Sequence, residues 1–98
     1  MELRHMRYFV AVAETESLTL AAKTKLHTSQ PSLSRQIRDL EEEIGAQLMT
    51  RTARGIELTP AGRAFLDHAR LVLSQVEAAA EAARRVVHPA SHASPWAF

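Results

Sequence analysis

One stretch of the chain, residues 30–38, is rich in side chains that hydrogen-bond to nucleic-acid bases. Glutamine can pair with an adenine edge and arginine with a guanine edge in bidentate fashion, and each good pair discriminates between bases by about 1–3 kcal/mol. Gln30 and Arg35 supply these two side chains, and Ser34, one helical turn after Gln30, can reach a base or a phosphate. Pro31 offers an apolar contact to a thymine methyl group. The stretch therefore predicts the major groove of double-stranded DNA as its ligand.

Two further arginines, Arg51 and Arg54, fall in a predicted turn downstream, where they can reach phosphates or the minor groove. Taken one at a time, they are equally well interpreted as ordinary exposed turn arginines. Gln30, Ser34 and Arg35 can likewise be solvated residues of an amphipathic helix. Together, the side chains of residues 30–35 and the two turn arginines favour a nucleic acid as the ligand.

The distribution of charge supports the same interpretation, although the total does not. Twelve Lys and Arg residues nearly balance eleven Asp and Glu residues, for a formal net charge of +1. Residues 17–38, which end at Arg38, and residues 44–56 contain no acidic side chain, and the acidic run 39–43 separates them. Such segregation predicts a phosphate-facing side that carries the basic segments. Solvated helix ends are the alternative explanation.

Residues that could support catalysis or metal binding do not form a recognisable constellation. The sequence has no cysteine, no glycine-rich phosphate loop and no nucleophile-elbow context around its serines. The five histidines show no paired metal-ligand spacing: His5, His27, His68, His88 and His92. The carboxylates of residues 41–43 are interpreted as a solvated helix end, in which Arg38 can pair with Glu42. We therefore expect no enzyme activity, no metal and no cofactor.

The candidate DNA-contacting side chains require a scaffold of short helices. Apolar spacing predicts a first helix over Glu2–Thr15 and a second helix that begins after Ser17 and ends near Leu26. Ser29 as N-cap and Pro31 in the first turn predict a third helix that starts sharply and ends at Gly45. Its apolar seam leaves four residues on the solvent side: Gln30, Ser34, Arg35 and Arg38. A tight turn between two such helices is typical of a helix-turn-helix that enters the major groove amino end first.

A hairpin and a long helix complete the predicted architecture. Strands at Gln47–Thr50 and Ile56–Thr59 form a small wing, and Arg51–Gly55 is the turn between them. Thr59 and Pro60 begin a helix that continues to Val87. Its apolar stripe is too wide to face water alone, and a homodimer is a simpler solution than burial in a larger assembly. The predicted dimerisation residues are Phe65, Leu66, Ala69, Val72, Leu73, Val76, Ala80 and Ala83.

These elements predict an all-α fold with a small β wing in one compact domain. Residues 1–59 form the winged helix-turn-helix, and residues 60–87 form the linker or dimerisation helix. Residues 88–98 lack periodicity and contain two prolines, so we expect an unstructured tail, a truncation point or residues added for expression. Neither a signal peptide nor a membrane-spanning run is evident, and we expect a cytoplasmic protein.

The motif from Ser17 to Ala22 and then from Leu26 to Glu41 closely resembles the signature of LysR-type transcriptional regulators. The resemblance covers residues 1–87, including Leu58–Gly62. It implies dimerisation through the linker helix and binding to interrupted inverted repeats near promoters. It places the recognition-helix contacts at Gln30, Pro31, Ser34 and Arg35, the wing contacts at Arg51 and Arg54, and the backbone-contacting turn at Thr28 and Ser29.

Two departures from the family pattern stand out. The segment Ala22–Leu26 is one residue longer than is common in the family, so the end of the second helix and the roles of Lys23 and Lys25 are open. Family members also continue into a carboxy-terminal effector-binding domain, so we expect inducer sensing, and any oligomer higher than a dimer, to belong to a full-length protein. Because a winged helix can also bind proteins, an adaptor built from the same helices is the alternative function.

Overall fold

The computed structural model describes residues Met1–His88 of the 98-residue chain, and the predicted tail beyond His88 lies outside the described residues. The elements follow the predicted order, and the fold class, all-α with a small β wing, is confirmed. They are α1 Leu3–Thr15, α2 Leu18–Leu20 continued by a π-helical segment Ala21–Leu26, α3 Gln30–Ile44, β1 Met49–Thr52, β2 Gly55–Leu58 and α4 Pro60–Val87.

The core lies where the three short helices meet the wing. Phe9 of α1, Leu33 and Leu40 of α3, and Leu48 before β1 are almost fully buried. Full burial of each such side chain contributes about 1.5–3 kcal/mol. Since these residues come from separate parts of the sequence, the core fixes α3 relative to both α1 and the wing.

The second helix is not a regular α-helix. Only Leu18–Leu20 is α-helical, and Ala21–Leu26 is π-helical. A π-helix closes each turn with one residue more than an α-helix, so it accommodates the extra residue noted between Ala22 and Leu26. The segment ends at His27 in the left-handed conformation, with φ 51°, and the Thr28 N–H donates to the Ala22 carbonyl at 3.0 Å.

Helix α3 forms as predicted. The Ser29 hydroxyl accepts a hydrogen bond from the Ser32 N–H at 3.2 Å, and Pro31 lies in the first turn. Gly45 follows the last turn with φ 83°, as expected for a left-handed cap. The predicted seam is also found, because Leu33 and Ile37 are buried on the core side.

The strands of the wing lie closer together in sequence than predicted, because β1 begins two residues later and β2 one residue earlier. The antiparallel pairing joins Met49 to Leu58 and Thr52 to Gly55, so the turn contains only Ala53 and Arg54. Arg51, predicted in the turn, is therefore a residue of strand β1. The wing is attached to α1, since the Ile56 N–H donates to the Glu16 carbonyl at 3.1 Å.

The start of α4 belongs to the same core, which corrects the predicted dimer seam at Ala69. The Phe65 ring packs edge-on against Phe9 with centroids 5.3 Å apart, Leu66 packs against the core, and Ala69 is 1% exposed. Ala69, a predicted dimerisation residue, is thus buried by its own chain, whereas Phe65 and Leu66 are half-buried and their place in the dimer seam stays a prediction. The apolar periodicity of α4 could not distinguish packing within the chain from contact with a second chain, because the same stripe continues from the core into the outer part of the helix.

Beyond Arg70 the apolar stripe of α4 faces outward. Leu71 is 62% exposed and Val72 is 37% exposed. Val72 was predicted in the dimer seam and Leu71 was not; of the remaining predicted residues beyond Arg70, Leu73, Val76 and Ala80 are half-buried and Ala83 is exposed. Among residues Met1–His88, none of the helices combines the length and apolarity needed to cross a membrane.

Candidate nucleic-acid interface

The amino end of α3 lies at the surface, where Pro31 and Arg35 are exposed and Gln30 is half-buried. Ser29, which caps the helix, is exposed, and Thr28 is half-buried. The cap leaves the first-turn amides directed outward at the positive end of the helix dipole, an arrangement that favours an anion. The structure therefore brings these five predicted residues together at one end of one helix.

The wing lies beside this helix end. A cleft of about 210 Å³ runs between α2, α3 and the wing, and it is lined by Gln30 from α3 together with Arg51 and Thr52 from β1. Thr19 also lines this cleft, and the sequence interpretation did not include it among the candidate sites. The signal was available, because Ser17 caps the start of α2, accepting from the Leu20 N–H at 3.0 Å, and Thr19 follows in the first turn.

Ser34 differs most from its predicted position. It was expected on the solvent side of α3, but it is only 4% exposed. Its hydroxyl accepts a hydrogen bond from Nη1 of Arg38 at 3.0 Å and another from Nη2 of Arg51. The Arg51 side chain reaches α3 from strand β1, and a contact between elements so far apart in sequence leaves no trace in the periodicity of the helix.

Arg38 and Arg51 consequently converge on one oxygen atom. They line a second cleft of about 170 Å³ between α3 and the wing. The expected pair between Arg38 and Glu42 is absent from the described residues, since Arg38 donates to Ser34 instead. Glu41, which also lines the cleft, uses Oε2 to accept from the backbone amides of Leu48 at 2.7 Å and Met49 at 3.3 Å.

The cations of the candidate interface have no acidic partner. Within Met1–His88, the ion pairs involve the amino terminus, Lys25, Arg70, Arg84 and Arg85. In that same part of the chain, no carboxylate lies within 4.0 Å of the guanidinium groups of Arg35, Arg38, Arg51 or Arg54. These four guanidinium groups therefore form no ion pair within Met1–His88, a state compatible with phosphate binding.

Lys25 has a different environment. Its Nζ lies 4.0 Å from Oε1 of Glu14, whose other carboxylate oxygen is 3.5 Å from Nη2 of Arg70. These three side chains connect the π-helical segment, α1 and α4 at the surface. Lys25 is thus accounted for as a surface ion-pair partner of the scaffold.

Residues 3–63 match the family model for the bacterial regulatory helix-turn-helix protein, lysR family. The match includes both helices of the helix-turn-helix and the whole wing, and it covers more than half of the chain. The chain belongs to the LysR family. The resemblance inferred from the motif at Ser17–Ala22 and Leu26–Glu41 is confirmed.

Curated relatives of this LysR-family chain are transcriptional regulators from bacteria. It is 56% identical over 87 residues to the Hca operon transcriptional activator HcaR of Escherichia coli (strain K12), a match that covers 89% of the chain and 29% of HcaR. It is 51% identical over 85 residues to the regulator AlsR of Bacillus subtilis (strain 168), covering 87% of the chain and 28% of AlsR. The chain thus spans less than a third of these relatives. The names confirm the prediction of a regulator's helix-turn-helix domain and not an enzyme.

Solved structures similar to the LysR-family chain include DNA complexes. The DNA-binding domain of BenM with catB site 1 DNA is 49% identical with a TM-score of 0.84, and the match covers 89% of this chain and 97% of that one. The DNA-binding domain of CbnR in complex with DNA is 45% identical with a TM-score of 0.83, and the match covers 89% of this chain and 99% of that one. The chain therefore has the fold of a LysR-family DNA-binding domain, and the winged helix-turn-helix prediction is confirmed.

Proposed function

We propose that this LysR-family domain reads specific sequences in double-stranded promoter DNA, with α3 in the major groove and the wing on the backbone and minor groove. The observation that carries the proposal is the capped amino end of α3, where Pro31 and Arg35 are exposed and Gln30 is half-buried. Arg38 and Arg51 lie nearby and have no carboxylate within 4.0 Å among residues Met1–His88. The DNA-bound state of two similar structures supports the same ligand.

The residues divide into two classes of contact. Gln30, Pro31 and Arg35 contact base edges, because they are accessible at the end of the helix that leads into the groove. Thr28, Ser29, Arg38, Arg51 and Arg54 contact the sugar-phosphate backbone or, for Arg54 at the wing tip, the minor groove. The first class determines sequence preference, whereas the second class contributes affinity for any duplex.

The domain acts as a homodimer on an interrupted inverted repeat. The support is the outer part of α4, where Leu71 and Val72 expose apolar surface that a partner helix would bury. Val76 and Ala80 continue the same stripe at helical spacing. A two-fold dimer pairs its two α3 helices with two DNA half-sites, so the spacing of the half-sites reports the dimer geometry.

The remaining expectations concern the whole regulator. The curated relatives are more than three times as long as their match to this chain. We place inducer binding, and assembly into oligomers higher than the dimer, in a full-length protein that carries an effector domain. The compartment is the bacterial cytoplasm, where the promoter DNA is located.

The assignment of contacts is tested by comparing Arg35→Ala with Arg54→Ala on a selected duplex and a scrambled one. A duplex of suitable sequence comes from selection in a random pool at stated salt concentration. Arg35→Ala should lose preference for the selected duplex by about 1–3 kcal/mol. Arg54→Ala should weaken binding to both duplexes similarly and lower the slope of log K against log salt concentration by about 1. Equal effects of both variants on both duplexes would refute the division of roles.

A further inference from the structure

The hydroxyl of Ser34 is saturated by protein donors. A serine oxygen has two lone pairs, and here Arg38 Nη1 and Arg51 Nη2 each donate to it. Ser34 is also only 4% exposed, and the side chains of Arg38 and Arg51 lie against its hydroxyl. Both acceptor positions of Ser34 are therefore taken, and only its O–H is left to donate. A base donor could be accepted only if one arginine left, which would forfeit a charge-assisted hydrogen bond, and the 4% exposure of the residue restricts access to the O–H.

The same contacts bring two positive charges close together. Arg38 comes from α3 and Arg51 from β1, so nothing in the local chain geometry requires them to be neighbours. Like charges at this separation repel each other, and no carboxylate lies within 4.0 Å of either guanidinium group in the part of the chain that the structure describes. Glu41 does not compensate them at ion-pair distance, because its Oε2 is bound to the Leu48 and Met49 amides. An arrangement of this kind is stabilised by an external anion.

We propose that Ser34 is a positioning residue, whose hydroxyl holds Arg38 and Arg51 side by side so that the two guanidinium groups bind one backbone phosphate at the cleft between α3 and the wing. Ser34 then contributes affinity for every duplex and does not select bases, in contrast to the base-contacting role that the sequence pattern suggests for it. This inference rests on the proposed function, since it assigns one residue of the same DNA-binding surface.

The test uses the full chain and measures Kd for a selected and a scrambled duplex. Ser34→Ala should weaken binding to both duplexes by a similar factor, about tenfold, and leave the ratio of the two Kd values within about twofold of wild type. Ser34→Thr keeps a hydroxyl at the same position and should restore most of the affinity. Ser74→Ala, which removes a hydroxyl from the exposed side of α4, is the matched control and should leave both Kd values unchanged.

A double-mutant cycle separates positioning from an independent contact. If Ser34 acts through Arg51, the variant Ser34→Ala/Arg51→Ala should bind only slightly more weakly than Arg51→Ala alone. Additive losses would overturn the inference, as would a fall in the ratio of scrambled to selected Kd for Ser34→Ala, which would identify Ser34 as a base-reading residue. Failure of Ser34→Thr to restore affinity would overturn it too. Failure of the wild-type chain to bind any duplex at low salt would instead overturn the proposed function itself.

Discussion

Gly62, in the first turn of α4, permits a close approach between this helix and Leu48, the residue before the first strand of the wing. A Cβ atom built on Gly62 would lie 1.9 Å from the carbonyl oxygen of Leu48 and 2.9 Å from its carbonyl carbon. Both neighbours are backbone atoms, so they cannot rotate away. That carbonyl oxygen also accepts a hydrogen bond from the Thr59 N–H at 3.0 Å, which fixes the entry of the chain into α4.

Gly62→Ala should therefore destabilise the domain, although helix propensity predicts the opposite. Alanine is more favourable than glycine inside a helix by about 1 kcal/mol. Against this gain, the backbone of α4 at Gly62 must move away from the backbone of Leu48 by roughly 1 Å or more, and such overpacking costs about 1–3 kcal/mol. Loss of the bond from Thr59 adds about 1 kcal/mol. The net result is a free energy of unfolding lower by about 1–3 kcal/mol, and a Tm lower by about 5–20 °C.

Thermal unfolding followed by circular dichroism, at one fixed protein concentration, measures this change. The matched control is Ala64→Gly, two residues further along α4 at an exposed position, which should cost about 1 kcal/mol through helix propensity alone. A Gly62→Ala variant with a Tm equal to or above that of wild type would refute the proposed contact between α4 and Leu48.

Three further predictions follow from the same structure. Gly55→Ala should lower the Tm and release the wing from α1, because Gly55 has φ 125° and an added Cβ would lie 2.5 Å from the Glu16 carbonyl oxygen. Hydrogen exchange at the Ile56 amide measures this release: we expect protection to be lost, and unchanged protection would argue against the attachment. Val76→Asp should convert a dimer to a monomer in multi-angle light scattering, whereas Gln75→Asp, at a neighbouring exposed position, should not; an unchanged mass for Val76→Asp would contradict the dimer seam. Phe65→Ala should reduce the free energy of unfolding by about 3–5 kcal/mol, because Phe65 packs against Phe9 in the core, and a loss below about 1 kcal/mol would contradict that packing.

The parts of the fold that local chemistry determines were predictable. Ser29 with Pro31, and Thr59 with Pro60, locate the starts of α3 and α4, because an N-cap side chain and a proline act within a few residues of their own position. Both caps form: the Thr59 hydroxyl accepts from the Gly62 N–H at 3.0 Å.

Apart from the expected pair between Arg38 and Glu42 within α3, the main errors concern contacts between distant elements. The helical pattern of α3 shows that Ser34 lies beside the apolar seam, but it does not reveal that the residue is buried or that the Arg51 side chain contacts it. Arg51 and Thr52 are polar and exposed, so the strand that contains them lacks the alternation of apolar residues that marks a half-buried strand. Phe65 fits the stripe of α4 equally well whether its neighbour is Phe9 or a second chain.

The length of the second helix departs from the family pattern, and the sequence did not show how the chain accommodates the difference. The count between Ala22 and Leu26 revealed one extra residue, but an insertion can be absorbed by a longer turn or by a wider helix. The structure uses a π-helical segment, which keeps Ala21 and Ala22 in the core and leaves Leu26 packed against it. The amino end of α3 therefore follows a segment whose apolar side chains are packed in the core.

The placement of α3 in the major groove is tested most directly by replacing guanines of the selected duplex, one at a time, with 7-deazaguanine, which removes the N7 acceptor from the major groove alone. Kd is measured for wild type and for Arg35→Ala. We expect at least one guanine in each half-site at which the replacement weakens wild-type binding about tenfold and has no effect on Arg35→Ala. Wild-type binding that is indifferent to every replacement, or losses of the same size in both proteins, would contradict the account.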